Sequence, residues 1–132
     1  MTMRRAAIAF VTIAALLASS PIARADAAFD DAVDAFNAGA YTSARDAFGT
    51  LAGHGDAGAQ FFIGIMHLRG LGGPADIPAA RAWLKRAGDG GHAAAQFQLG
   101  EMYRSGTGAP APDRAQAATW YLRAAEAGWF GA

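Results

Sequence analysis

Ala59-Gln60-Phe61-Phe62-Ile63-Gly64-Ile65-Met66-His67 returns 36 residues later as Ala95-Gln96-Phe97-Gln98-Leu99-Gly100-Glu101-Met102-Tyr103. The first stretch leads on to Gly70, Gly72, Asp76, Ala80, Trp83, Ala87 and Gly91, and the second leads in the same order to Gly106, Gly108, Asp113, Ala117, Trp120, Ala124 and Gly128. The offset is 36 as far as Gly108 and 37 from Asp113, so the second copy holds one extra residue in Ala109-Pro110-Ala111-Pro112. Self-similarity at a period of about 20 to 50 residues marks a solenoid, in which each unit buries its apolar face only against its neighbours.

The pattern extends upstream. Ala44, Ala47, Phe48, Leu51 and Gly55 precede Ala80, Trp83, Leu84, Ala87 and Gly91 by 36 residues, which makes 42–54 the second helix of an earlier unit. Ala32, Phe36, Gly39 and Tyr41 supply that unit's first helix and a tight turn without the longer glycine loop. Periodicity and caps predict helices over 27–38, 42–54, 57–69, 77–88, 93–105 and 113–127. Their starts are marked by Asp26, Asp56, Pro78 and Pro112, and their ends by Gly39, Gly55, Gly70, Gly91, Gly106 and Gly128. No strand pattern competes. Small residues at Ala59, Gly64, Ala80, Ala87, Ala95, Gly100, Ala117 and Ala124 let helix axes approach, while Trp83 and Trp120 fill the wedges between pairs.

This spacing of Ala-Gln, Gly, Met and the two-glycine loop, followed by Asp, Ala, Trp, Ala and a closing Gly, resembles the Sel1-like repeat, a relative of the tetratricopeptide repeat. The resemblance takes in residues 56–128 as two units, with 26–55 similar to an ordinary tetratricopeptide pair. It implies an all-α, right-handed α-solenoid of helix-turn-helix repeats. Two positions depart from the family pattern: His67 stands where Tyr is usual and Gly88 where Ala is usual. Gly88 is expected to weaken its helix by about 1 kcal/mol relative to Ala.

The first 25 residues read differently. Arg4 and Arg5 precede an uncharged apolar run over 6–18, and Ala23-Arg24-Ala25 offers a small-x-small cleavage pattern, the order expected of a secretory signal peptide. The run is short of the roughly 20 residues of a spanning helix. The Arg pair lacks the bulky apolar residue of a twin-arginine signal, and without Cys no lipoprotein anchor can form. The expectation is therefore export to the periplasm or beyond the cell, cleavage after Ala25, and no membrane insertion afterwards. Of 11 basic and 11 acidic side chains, removal of Arg4, Arg5 and Arg24 leaves eight basic against eleven acidic, which gives no global reason to bind nucleic acid. Without disulfides, residues 26–132 hold together by packing alone.

Motifs for chemistry are sparse. The glycines of Gly70-Leu71-Gly72-Gly73 follow no strand, have no Walker lysine, and recur at Gly106 and Gly108 as repeat geometry. His54, His67 and His92 fall in three separate units without zinc spacing; His67 is expected to pack, and His54 and His92 to lie in solvent at helix boundaries. Ser43 and Ser105 occupy no nucleophile elbow, and Asp30, Asp31 and Asp34 read as a solvated helix face. No catalytic residue, cofactor or metal ligand is assigned. Some secreted relatives in the resembled family are associated with drug binding or hydrolysis, but those are cysteine-rich.

What remains is protein binding on an extended inner surface lined by the first helix of each unit. There the variable positions Phe62, Ile65 and Leu68 of the first copy become Gln98, Glu101 and Arg104 in the second, and these six are the candidate partner-binding residues. Two readings of the apolar three stand side by side: burial in mid-stack or an exposed patch. The ending Gly128-Trp129-Phe130-Gly131-Ala132 reads as the start of another unit or as a tail, and an apolar end would favour self-association. The resemblance implies an exported scaffold or adaptor in envelope signalling, exopolysaccharide regulation or complex assembly. A periplasmic inhibitor of a membrane sensor is the alternative, and a hydrolase or ligand-binding protein the alternative of another class.

Overall fold

The computed structural model describes residues 20–130 of the chain. Six helices follow in order: α1 (Pro21–Asn37), α2 (Tyr41–Gly53), α3 (Ala57–Arg69), α4 (Ile77–Asp89), α5 (Ala93–Ser105) and α6 (Arg114–Glu126), and no strand occurs among the described residues. Each helix packs chiefly on the ones before and after it, so the chain stacks three antiparallel pairs.

Side-chain caps set most starts. Asp56, Asp76 and Asp113 accept from the backbone N–H three residues on, at 2.8, 3.0 and 3.0 Å. The ends rest on glycine: Gly70 and Gly106 take φ of 66° and 76°, a left-handed conformation in which a side chain would be strained. Two expected starts are corrected. α1 begins at Pro21, capped by Ser20, and Asp26 lies inside it; α6 begins after Asp113, whose carboxylate does the capping that Pro112 cannot. The expected cleavage site falls within the first turns of α1, and residues 1–19 of the expected leader over 1–25 lie outside the described residues.

Two apolar joints hold the three pairs together. In the first, Val33 and Phe36 of α1 and Phe48 of α2 meet Ile63 and Met66 of α3 and Trp83 of α4. In the second, Ile65, Leu68 and Leu84 meet Leu99, Met102 and Trp120, each at the matching register position one unit later. Within each repeat the two helices come close enough that a Cβ on Gly64 would lie 2.8 Å from Leu84 Cγ, and one on Gly100 2.6 Å from the Tyr121 ring. Gly88 is likewise a contact point: a Cβ there would come within 3.1 Å of both Leu99 and Trp120. Its lack of a side chain serves the joint and is not only a loss of helix propensity.

Polar ties bridge the same joints. The Gln of each Ala-Gln pair reaches back to the preceding helix end, Gln60 Nε2 donating to Ala52 O at 3.3 Å and Gln96 Nε2 to Gly88 O at 2.9 Å. Arg86 lies over Trp83 at 5.0 Å and Arg123 over Trp120 at 4.7 Å, so each tryptophan carries a cation on its outer face.

Candidate partner-binding surface

The first helices share one register. Ala27-Ala28-Phe29, Ala59-Gln60-Phe61 and Ala95-Gln96-Phe97 correspond in order; the first two aromatics meet the start of the next first helix, and the third meets the chain just after α6. Phe29 packs against the backbone at Gly58 beside Asp56, Phe61 stacks on His92 at 4.9 Å, and Phe97 packs on Trp129 at 5.5 Å. Trp129 thus occupies the place that a cap residue takes in the preceding units. His92 is corrected from the solvent reading: its Nδ1 accepts from Ala95 N at 3.3 Å, and burial holds its pKa below the ordinary value against the opposing pull of Asp56. His54 is exposed, as expected.

The six candidate residues separate into two groups. Ile65 is 7% exposed inside the second joint, with Leu68 packed against it. Phe62 is half-buried in a cluster of rings, stacked on Phe48 at 4.5 Å and edge-on to Phe36 at 5.5 Å and Phe29 at 6.0 Å. For these three, packing accounts for the apolar side chain. Gln98, Glu101 and Arg104 hold the same positions on α5 with water on one side. Arg104 donates to both Glu101 oxygens, at 3.2 and 2.8 Å, and Tyr121 Oη donates to Glu101 Oε1. The hydrogen bonds from Arg104 and then Tyr121 lower the Glu101 pKa, and the same bond raises that of Arg104. Loss of hydration, followed by the bond to Glu101, raises Tyr121.

The end after α6 is therefore not the apolar face expected from the Trp129-Phe130 tail. Glu101, Arg104 and Tyr121 stand where the middle unit has Ile65, Leu68 and Leu84. Trp129 folds back onto Phe97, and only Leu122, at 61%, and Phe130, at 91%, leave large apolar area in water there. Arg104, Arg114, Ala117, Ala118 and Tyr121 line a hollow of about 440 Å³ on this face. A second hollow of about 360 Å³ lies near the other end, lined by Asp26, Phe29, Asp30 and Asp56.

A polar clasp missed in the sequence fastens the first glycine loop. Arg45 of α2 donates to Leu71 O at 3.4 Å and Pro74 O at 3.3 Å, and also contacts His67 Nδ1. Gly73 leaves room for the guanidinium, and Gly72 for the Tyr41 carbonyl. Burial, then Arg45, lowers the His67 pKa, with Asp76 pulling the other way. One unit later the pair becomes Arg81 over the Tyr103 ring at 4.6 Å. The 36-residue spacing of Arg45 and Arg81 was the available signal. Among the described residues no cluster of three metal-ligating side chains occurs, and no helix is long and apolar enough to cross a membrane.

Comparison with known proteins gives a consistent result. A family model described as Sel1 repeat matches residues 57–92 and 93–129, together more than half of the chain. The crystal structure of a Sel1 repeat protein from Oxalobacter formigenes superimposes with a TM-score of 0.68 at 32% identity, over 73% of this chain and 39% of that one. This chain thus spans about two fifths of that protein's length. No curated protein matches.

Proposed function

The chain belongs to the Sel1 repeat family, whose repeats serve in general as protein–protein interaction scaffolds, and from that premise we propose that it is an exported adaptor that holds another protein. The observation that carries this reading is the division of the first-helix positions. Phe62, Ile65 and Leu68 are consumed in joints, whereas Gln98, Glu101 and Arg104 present polar groups to water at the same register. A solenoid built this way offers a rigid polar strip whose side chains are free of structural duty or fixed by a single network.

Export rests on the order of charged, apolar and small residues over 1–25, and cleavage after Ala25 gives a mature terminus at Asp26. In that compartment the fitting roles are envelope signalling, exopolysaccharide regulation or assembly of an envelope complex, and inhibition of a membrane sensor is the narrower version. The test places a photo-crosslinking residue at Gln98 in the native host. A single discrete adduct with a different protein, on a chain whose terminus reads Asp26 by mass spectrometry, is the expected result. No adduct at this position, together with turnover in a substrate screen, overturns the scaffold in favour of a hydrolase or ligand-binding protein. An intact Met1 in fractionated cells overturns export.

A further inference from the structure

The two ends of the stack differ from its interior in a matched way. At the joints, the side facing the previous unit carries Ile63, Met66 and Trp83, or Leu99, Met102 and Trp120. The same positions on the first pair, with no unit before them among the described residues, are Asp31, Asp34 and Ala47. The side facing the next unit carries Val33, Phe36 and Phe48, or Ile65, Leu68 and Leu84, and on the last pair these become Glu101, Arg104 and Tyr121. Where the first face gives up a Trp for Ala47, the last face gains bulk as Leu84 gives way to Tyr121. Where the first face presents carboxylates, the last presents guanidinium groups at Arg104, which is paired with Glu101 on the same face, and, beside it, at Arg114, which forms no ion pair among the described residues.

The hollow on the last face makes the match narrower. In the interior, Tyr41 and Arg45, and one unit later Ile77 and Arg81, hold this place beneath the glycine loop of the next unit, Tyr41 against Gly72 and Ile77 against Gly108. On α6 the same positions are Arg114 and Ala118, and nothing fills the 440 Å³ above them. With Ala118 in place of the clasping arginine, this face lacks the group that fastens a long glycine loop. The first pair of the chain is the unit that has no such loop, turning from α1 to α2 over Ala38, Gly39 and Ala40 alone.

We infer that the α5–α6 end face receives the α1–α2 end face of a second copy, so that chains associate head to tail. This goes beyond the binding of a foreign protein: the face shares Glu101 and Arg104 with the strip proposed for that partner and adds Arg114 and Tyr121. In the stacked pair Asp31 and Asp34 of one copy approach Arg104 and Arg114 of the other, and Tyr121 fills the space above Ala47. A joint of this kind is held by exposed charges, so it is weak and falls with ionic strength. It is heterologous, so its growth is open unless the rotation closes a ring.

The experiment is sedimentation of the purified full chain with charge-reversed variants. The wild-type chain is expected to associate with rising concentration at low salt, with the dissociation constant raised about tenfold or more in half-molar salt. Asp31→Arg with Asp34→Arg, and separately Arg104→Glu with Arg114→Glu, each give monomers. Mixed in equal amounts they associate in alternation, because the two reversed faces complement each other as the two intact ones do, and for the same reason a chain carrying all four changes associates again. Arg114→Glu alone, which disturbs no hydrogen bond among the described residues, weakens association without loss of helix by circular dichroism. A wild-type chain that stays monomeric at low salt, association indifferent to the reversals, or failure of the mixed variants to pair overturns the inference. Capture of an acidic peptide by the Arg face while the chain itself stays monomeric overturns it too.

Discussion

Phe62 and Gln98 stand at one register position on α3 and α5, and truncating each to Ala measures what the ring cluster of the first pair contributes at one and not at the other. Removing a fully buried Phe costs about 3 to 5 kcal/mol. Phe62 is half-buried, which lowers that figure, but its ring is stacked on Phe48 at 4.5 Å and edge-on to Phe36 and Phe29, and aromatic pairs add about 0.5 to 1.5 kcal/mol beyond area. Phe62→Ala should therefore cost about 2 to 4 kcal/mol. In a domain of about this size each kcal/mol lowers the melting temperature by roughly 4 to 8 °C, so a drop of at least ~8 °C is expected. Gln98 makes no such packing, and Gln98→Ala should stay within about 0.5 kcal/mol of wild type. Urea unfolding followed by circular dichroism reads both, with a slope of about 1 to 3 kcal/mol per molar turning the Phe62 loss into a midpoint shift of about 0.7 M or more. Equal and small effects at both positions would show that the ring cluster does not hold the first joint, and would return Phe62 to the binding surface.

Three further outcomes follow from the same packing. Trp120, 5% exposed in the second joint, should cost about 3 to 5 kcal/mol as Trp120→Ala, and the half-buried Trp83 clearly less; a larger loss at Trp83 in thermal melts would contradict the joint assignment. Gly88→Ala regains about 1 kcal/mol of helix propensity but drives a methyl to 3.1 Å from Leu99 and Trp120, so no rise in melting temperature is expected, and a rise of several degrees would refute the crowding. His67 and His92 have lowered folded pKa values, burial being the first cause in both. The neutral forms are therefore the ones the fold keeps: their stabilisation is complete above about pH 6.5 and is lost as pH falls through the lowered folded values. Melting temperature should drop on acidification from pH 7 to 5. His67→Tyr, which copies the Arg81–Tyr103 pairing, should remove part of that drop and His92→Asn another part, whereas an unchanged pH profile in both variants would show that neither ring matters.

Much of the stack was legible because a 36-residue period constrains every helix at once, and the cap Asp56 and the glycine ends fall where the pattern puts them. The start of α1 was not, since Ser20 and Pro21 lie in a stretch whose small residues also read as a cleavage pattern. His92 escaped because imidazole is an uncommon cap; what gives it that place is the stack on Phe61, a contact between units that local spacing does not reveal. The replacements at Glu101 and Arg104 were visible as differences between copies. Their meaning was not, because whether a polar residue marks a binding strip or an uncovered end depends on which helix covers the position. Arg45 was silent for a related reason: its acceptors are loop carbonyls more than twenty residues away.

The ties between units all have a direction in time. Gln60 reaches back to Ala52 and Gln96 to Gly88, and the loop after α3 closes onto an arginine on α2 that precedes it in the chain. A chain threaded out of a ribosome from its N-terminal end thus presents each new segment to a partner already in place. The carbonyls that the later glutamines reach already accept from their own turns, Ala52 O from Gly55 N and Gly88 O from Gly91 N, so neither waits unmet for the next unit. Such a stack can grow like a zip drawn from one end, and a stall part-way would leave a shorter solenoid with its earlier joints intact.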